Sequence, residues 1–405
     1  MKSGNLGFFI GIILLLLVDG LLWLQIRQSI QKQWVKKIYI FQVLFFIILL
    51  TIFHCSVKQI KGANGYFWME QIIGLLILIY SPKTIYILFH GVASVCKTWN
   101  YYISRQLKRI GIGLSFILFF YFIYCFTYGR YQYKVEQISI PIQHLTAPFQ
   151  DFKIVQISDL HVGSFCKNDK AIPQLVKTIN ALHPDLIVFT GDMINNFSTE
   201  MLPWIQTLKK LKAPYGKYAV TGNHDYGNYT LWNNIPEKQE NYRHFLEYMN
   251  QAGFQMLNNT QIPIVSLQDT LWLAGIVDET PSPLPQPGNL QTTLYAIPDN
   301  QPIILLAHNP IHWKSEILNY PIQLTLSGHT HAMQLGIKIG QFKWSPAQYL
   351  YHEYDGLYQQ DSRYLYINRG QGYLGIPGRI GLRPEITLLI LKKPTMDAPH
   401  SPTRL

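Results

Sequence analysis

The chain has 405 residues, 48% of them hydrophobic and only 14% charged, enough for a membrane region plus one large soluble domain or two small ones. Its net charge of +11 is uneven: up to Lys134 there are 14 Lys and Arg against two acids, Asp19 and Glu70, whereas from Val135 onward 20 basic residues meet 21 acidic ones. That near-neutral part has no clustered basic run, which excludes nucleic acid as an expected partner. Of the four cysteines (Cys55, Cys96, Cys125 and Cys166) it holds only Cys166, which excludes an intradomain disulfide or a CxxC metal knuckle there.

In chain order, an all-α transmembrane region of about four helices is expected over residues 1–130, with spans near 6–26, 38–57, 67–95 and 110–128. A hydrocarbon core of about 30 Å needs about 20 helical residues, and the first two stretches match that length. The first has only Lys2 ahead of it and no small-residue cleavage site, so it reads as a span rather than a signal peptide. The third is interrupted by Ser81-Pro82-Lys83. Pro82 is expected to kink it, and Lys83 is costly in lipid unless it snorkels or faces the bundle; a lipid-headgroup site is the competing reading. The loop after the first span carries Arg27, Lys32, Lys36 and Lys37, and the loop after the third carries Lys97, Arg105, Lys108 and Arg109. The positive-inside bias puts both in the cytoplasm, so a multi-pass protein with four spans presents its C-terminal domain extracytoplasmically; one span fewer would reverse this.

Residues 131–150 read as a linker and first strand, punctuated by Pro141 and Pro148. A domain over 151–393 follows, then a disordered tail over 394–405. Strands are expected at Phe152–Ser158, Asp185–Thr190, Gly216–Val220, Ile262–Leu267, Thr270–Ile276, Pro302–Ala307, Ile322–Leu326, Tyr364–Asn368 and Glu385–Lys392. Helices are expected near Lys170–Leu182, Thr199–Leu211 and Tyr242–Ala252, the first with Ile172, Leu175, Val176 and Ile179 at helical spacing. Pro281–Gly288 reads as an exposed Pro-rich loop. The order is α/β, alternating strand and helix first and mostly strand later.

Five short motifs stand at the ends of these strands: Asp159-x-His161, Gly191-Asp192, Gly222-Asn223-His224-Asp225, His308-Asn309-Pro310 and Gly328-His329-x-His331. Each is weak alone, since a Gly-Asp after a strand is usually a turn and a lone His is more often a hydrogen-bonded core residue. Together they offer only Asp, Asn and His donors at one sheet edge, a set that suits Mg, Mn, Fe or Zn alike. Side chains at i and i+2 of extended chain point the same way, so each Asp-x-His or His-x-His pair can aim at one ion.

The ordered set resembles the calcineurin-like metallophosphoesterase family, in its membrane-anchored bacterial form, over about residues 152–390. The resemblance implies two mixed β-sheets packed as a sandwich flanked by helices. It implies a dinuclear centre: a first metal on Asp159, His161, Asp192 and His331, and a second on Asp192, Asn223, His308 and His329. Asp192 would bridge the two, using both carboxylate oxygens. It implies phosphate-ester hydrolysis by a hydroxide held between the metals, with His224 protonating the leaving oxygen and Asp225 orienting its imidazole. Arg369 and Arg379 are candidates for binding substrate phosphate bidentately, with structural ion pairs as the competing reading. Asp278 matches a recurrent family position without a role. The loop Tyr226–Asn234, with Tyr226, Tyr229 and Trp232, either flanks the entrance or packs on the domain. Where membrane-associated members continue Gly-His-Thr-His with Gly-Gly-Gln, this chain has Ala332-Met333-Gln334.

The expected partners are membrane lipids and a phosphate-ester substrate, a phosphodiester, monoester or pyrophosphate; anchoring favours a lipid-linked one. Some relatives cleave the diphosphate of an acylated sugar nucleotide in lipid A synthesis, a cytoplasmic substrate that conflicts with the expected orientation. A non-catalytic scaffold should have lost ligands, and all seven are present together with His224. Four spans with one lysine make a thin case for a transporter. The sequence carries no signal for oligomeric state.

Overall fold

The computed structural model describes residues 2–27, 31–56, 62–165, 170–277, 288–340 and 342–394. Cys166, Asp278, the Pro-rich segment through 287 and the tail beyond 394 lie outside the described residues. The chain divides into two compact units, residues 1–60 with 68–127, and residues 61–67 with 128–405.

The first unit is built from α1 (Lys2–Ile26), α2 (Gln33–Ser56), α3 (Gly62–Cys96) and α4 (Tyr101–Thr127). Each is long and apolar enough to cross a membrane. α3 is one helix with Pro82 inside it, as proline can be where neighbouring helices enclose the backbone. Lys83 faces the bundle. Its Nζ lies 2.6 Å from Asp19 Oδ1 and 2.7 Å from Gln42 Oε1, and the Tyr80 hydroxyl donates to the other Asp19 oxygen at 2.8 Å. With its charge paired inside the bundle, Lys83 is poorly suited to a headgroup site.

The second unit opens with β1 (Lys134–Pro141), β2 (Lys153–Ile157), α5 (Ala171–Asn180), β3 (Leu186–Phe189), α6 (Ile205–Leu208), β4 (Lys217–Ala219), α7 (Ile235–Gln251) and β5 (Gln255–Met256). It continues with β6 (Thr260–Ser266), β7 (Asp269–Ile276), α8 (Leu290–Leu294), β8 (Ile303–Ala307), α9 (His312–Ser315) and β9 (Leu324–Ser327). Strands β10 (Ile337–Ile339), β11 (Phe342–Trp344), β12 (Gly356–Gln360), β13 (Arg363–Ile367) and β14 (Glu385–Lys392) complete it. One six-stranded sheet runs β1-β14-β2-β3-β4-β5 and the other β12-β13-β9-β8-β7-β6, while β10 and β11 form a separate hairpin. Both large sheets mix parallel and antiparallel pairs.

The alternation of side chains along each strand builds the layers. Ile154, Leu186, Val188 and Leu389 of the first sheet face Leu271, Leu273, Ile304, Leu306 and Leu326 of the second, forming the core of the sandwich. Val155, Ile157, Ile187 and Phe189 point the other way, against α5, α6 and α7. Leu305, Ala307 and Leu365 do the same on the far face of the second sheet, under Trp313 of α9. A one-residue slip in β2 or β8 would exchange core and outer faces, so register is strongly specified.

Two expected helices differ. Pro203 splits the helix expected over 199–211, leaving a single turn at Ser198–Met201 and the short α6. The helix expected from Tyr242 starts earlier, at Ile235, because the Asn234 side chain accepts from Glu237 N at 2.8 Å and Pro236 suits the first turn. The site-bearing loops leave the C-terminal ends of β2, β3, β4, β8 and β9, so both sheets feed one edge.

Candidate active site

The structure brings all seven predicted ligand residues and His224 to that edge. The donor atoms of Asp159, His161, Asp192 and His331 lie within 4.8 Å of one another. His161 Nε2 is 3.1 Å from His331 Nε2, and His331 Nε2 is 3.2 Å from Asp159 Oδ1. A second group converges beside it: Asn223 Oδ1 lies 3.0 Å from His308 Nε2 and 2.8 Å from His329 Nδ1, with those two nitrogens 3.2 Å apart. One oxygen joins the groups. Asp192 Oδ2 is 3.3 Å from His308 Nε2 and 3.7 Å from His161 Nε2. The other oxygen, Oδ1, accepts from His224 N at 2.9 Å. Asp192 thus stands between the two groups, with Oδ2 the oxygen nearest to both His161 and His308.

Local backbone geometry explains this convergence. Asp159, His161, Asp192, His329 and His331 all adopt left-handed φ, at 49°, 47°, 62°, 72° and 50°. Non-glycine residues hold such angles only where the surroundings over-determine them, and functional sites are where they gather. Here the turns fold donors back over the strand ends. Close backbone approach does the rest: a Cβ at Gly222 would collide with Asp192, and one at Gly328 with Ser158 and Asp159. The left-handed turn continues from His331 through Ala332, Met333 and Gln334, at φ 46°, 50° and 55°. This is the conformation that glycine favours, so the two positions where this chain departs from Gly-Gly keep the turn with side chains. Ser345 Oγ donates to Ala332 O at 2.7 Å, and Leu374 N donates to Gln334 Oε1 at 2.6 Å, holding it.

Outer hydrogen bonds set which atoms face inward. His308 Nδ1 donates to Thr190 O at 2.6 Å, leaving Nε2 as a lone pair. Asn223 Nδ2 donates to Tyr229 OH at 2.8 Å, turning Oδ1 into the site. Tyr351 OH lies 3.2 Å from His329 Nε2, the nitrogen that points away from the cluster. His224 Nδ1 donates to Asn195 O at 2.8 Å, and the Tyr229 ring stacks on the imidazole with centroids 4.2 Å apart. Glu200 fixes that carbonyl by accepting from Asn195 N at 2.7 Å and Phe197 N at 3.0 Å. Burial nevertheless pushes the Glu200 carboxyl up to about 7.

Asp225 does not touch the imidazole. It is fully buried and accepts from the backbone N–H groups of Asp192, Met193, Ile194 and Gly222, tying the Gly-Asp loop to the Gly-Asn-His loop. The arginines also find structural partners. Arg369 is buried and pairs with Asp355 at 3.0 Å, Glu136 at 3.2 Å and Glu385 at 2.7 Å. Arg379, equally buried, donates to Gly372 O, Arg369 O and His331 O. These contacts are the ion-pair and loop-holding ones of the competing reading. Tyr226 is buried with its hydroxyl 2.7 Å from Thr221 Oγ1 and Trp232 donates to Gly227 O, so of the loop aromatics only Tyr229 reaches the site. The carbonyls of Thr190 and Asn195 leave no mark in sequence, and Tyr351 lies far from any motif.

The electrostatics suit a cation. Burial brings the His161 pKa down to about 3 and, with His308 close by, that of His329 to about 4; burial and the neighbouring His161 hold His331 well below its ordinary value. These imidazoles are neutral at physiological pH, with lone pairs available. Burial opposes charge on Asp192, but His308 and His224 outweigh it and hold its carboxyl well below the usual range. Burial and the Asp192 charge raise Asp159. Several lone-pair atoms packed at 2.8–3.7 Å, with few protons to share among them, fit divalent metal in an O/N donor set.

Residues 152–333 match the calcineurin-like phosphoesterase family. The Bacillus subtilis (strain 168) metallophosphoesterase YkuE is 35% identical over 275 residues, which cover 65% of this chain and 89% of that protein. This chain belongs to the calcineurin-like phosphoesterase family. It is thus a metal-dependent phosphoesterase. A Danio rerio transmembrane protein with metallophosphoesterase domain is 32% identical over 64% of this chain, which spans 57% of that relative's length. The UDP-2,3-diacylglucosamine pyrophosphatase LpxG of Chlamydia muridarum is 27% identical over 59% of this chain and 83% of its own. As a calcineurin-like phosphoesterase carrying four apolar helices, the protein is membrane-associated.

Proposed function

We propose that the protein is a dinuclear-metal phosphohydrolase acting at the membrane surface on a phosphate ester, with a lipid-linked ester favoured. The observation that carries this reading is the single Asp192 oxygen facing both donor groups. Asp159, His161, Asp192 and His331 would hold one cation, and Asp192, Asn223, His308 and His329 the other. Two divalent ions there would activate water as nucleophile and neutralise charge on the phosphoryl oxygens. Mn, Fe, Zn and Mg all suit the donor set.

His224 is the proton donor in this reading. Its Nδ1 proton is committed to Asn195 O, so the proton that reaches the leaving oxygen sits on Nε2. Burial lowers its pKa, while Asp192 and the Asn195 carbonyl act to raise it. The stacked Tyr229 ring limits rotation of the imidazole. We place the catalytic unit extracytoplasmically, on the basis of the basic loops after α1 and α3. The relative LpxG supports a second reading, a pyrophosphatase of an acylated sugar nucleotide, which requires the cytoplasmic side.

The test is hydrolysis of bis-p-nitrophenyl phosphate by the full chain in detergent with Mn²⁺. Asp192→Ala should abolish it; unchanged turnover in that variant refutes the mechanism. A topology reporter fused after Leu405 separates the two substrate readings.

A further inference from the structure

The hairpin β10–β11 is amphipathic in the wrong sense for a soluble protein. Ile337 pairs with Trp344, Lys338 with Lys343 and Ile339 with Phe342. Alternation therefore puts Ile337, Ile339, Phe342 and Trp344 on one face and the two lysines on the other. A surface hairpin normally turns its apolar face to the core. Here it is the lysine face that pairs with the body of the unit: half-buried Lys343 has its Nζ 2.7 Å from Asp355 Oδ2, and the more exposed Lys338 has its Nζ 3.7 Å from Glu136 Oε1. Most of the apolar face is left in solvent, with Ile339 71% and Phe342 62% exposed, Ile337 exposed too and Trp344 half-buried. Beyond the hairpin, Tyr349 and Leu350 are also exposed, at 74% and 68%. Trp344 Nε1 lies 3.5 Å from Tyr349 OH, so the two exposed stretches meet there, and a grouping of exposed large apolar side chains marks an interaction site.

The hairpin belongs to the rim of the active site. The segment that carries it leaves the site at His331 and returns at Tyr351, whose hydroxyl reaches His329. Only residues 128–133 separate the end of α4 from β1. Even fully extended, such a tether spans roughly 20 Å, which bounds how far the start of β1 can lie from the end of α4. Isoleucine, phenylalanine and tryptophan backed by lysine is a composition suited to the headgroup layer.

We infer that the β10–β11 hairpin is a membrane-docking element, whose outward apolar face seats in the interfacial layer of the bilayer beside the mouth of the phosphoesterase site. This rests on the membrane-surface reading above and adds how a lipid-linked ester is presented: the rim itself touches the lipid. A tethered active site with a docked rim meets substrates in the plane of the membrane and disfavours those in bulk water.

The test uses the full chain reconstituted in phosphatidylcholine–phosphatidylglycerol vesicles, with p-benzoyl-phenylalanine placed at 342, 339 or 267 in separate preparations. All three positions are exposed, so the substitutions leave the packed core intact; Leu267 lies at the β6–β7 turn, on the sheet edge opposite the site. On illumination, positions 342 and 339 should yield lipid adducts at least about tenfold above position 267. Equal lipid labelling at all three positions overturns the inference. So do adducts to a second copy of the chain, which would assign the face to self-association. Hydrolysis of bis-p-nitrophenyl phosphate by the same samples reports on the phosphoesterase reading separately: turnover without lipid adducts removes docking alone, and adducts without turnover leave docking standing.

Discussion

Asp225→Asn should destabilise the catalytic unit and loosen its metals, rather than only slow the chemistry. One Asp225 oxygen accepts from Met193 N at 2.8 Å and Ile194 N at 3.2 Å, and the other from Asp192 N at 3.0 Å and Gly222 N at 2.8 Å. An amide of the same shape places an NH2 where one oxygen stood, so two of these four donors would face a donor. Each buried N–H left without an acceptor costs about 1–3 kcal/mol, a loss of about 2–6 kcal/mol in all. Total stabilities are about 5–15 kcal/mol, so this is a large fraction. For a unit of this size each kcal/mol moves the melting temperature by about 2–4 °C, so the fall should be at least about 4 °C. Asp192 N is one of the four donors, and the Asp192 side chain joins the two donor groups, so bound metal should fall too. The measurements are a calorimetric melt of the full chain in detergent and metal content by mass spectrometry. An unchanged melt with metal retained would refute the reasoning. If activity alone were lost, Asp225 would act on His224 after all, as its place in the motif implies.

Further outcomes are expected. His224→Asn should lower kcat by about 10²–10⁴-fold with bound metal unchanged, and the loss should be smaller for a p-nitrophenyl leaving group than for an alkyl one; equal losses on both would argue against proton donation. Arg369→Met removes the cation shared by Glu136, Asp355 and Glu385 and should destabilise the unit by about 3–5 kcal/mol, while the surviving folded fraction keeps its KM for bis-p-nitrophenyl phosphate. A raised KM at unchanged stability would return Arg369 to the substrate. Metal uptake should depend on pH through Asp159, whose carboxyl is raised in the metal-free protein by burial and the Asp192 charge. Binding needs the carboxylate, so affinity is full above that raised pKa and should fall about tenfold per pH unit below it. Calorimetric titration with Mn²⁺ at several pH values checks this, and a flat profile would count against Asp159 as a ligand.

Much of the architecture is legible because its signals are local. The apolar runs of α1 to α4 and the buried strands β2, β3, β8 and β9 announce themselves by composition, and the motifs that end those strands are the residues that converge. What eludes sequence reading depends on partners distant in the chain. Arg369 and Arg379 look like anion binders until Glu136, Asp355 and the carbonyl of His331 are found around them. Asp225 follows His224 directly, yet its carboxylate turns to amides some thirty residues earlier. The β10–β11 hairpin is missed because its strands are only three residues each and their pattern becomes informative once the inward face is known.

The strand order of the first sheet has a consequence for how the protein is made. β14, the last strand, lies between β1 and β2, parallel to one and antiparallel to the other. Until residues 385–392 arrive, β1 and β2 have no partner on those sides, and Ile140, Ile154 and Leu389 cannot meet in the sandwich core. The membrane helices can therefore insert long before the catalytic unit can close, and the unit waits with two unpaired edges for its final segment. Loss of this strand, more than fifty residues beyond the last candidate ligand in the chain, would be felt as an open sheet beneath the candidate site.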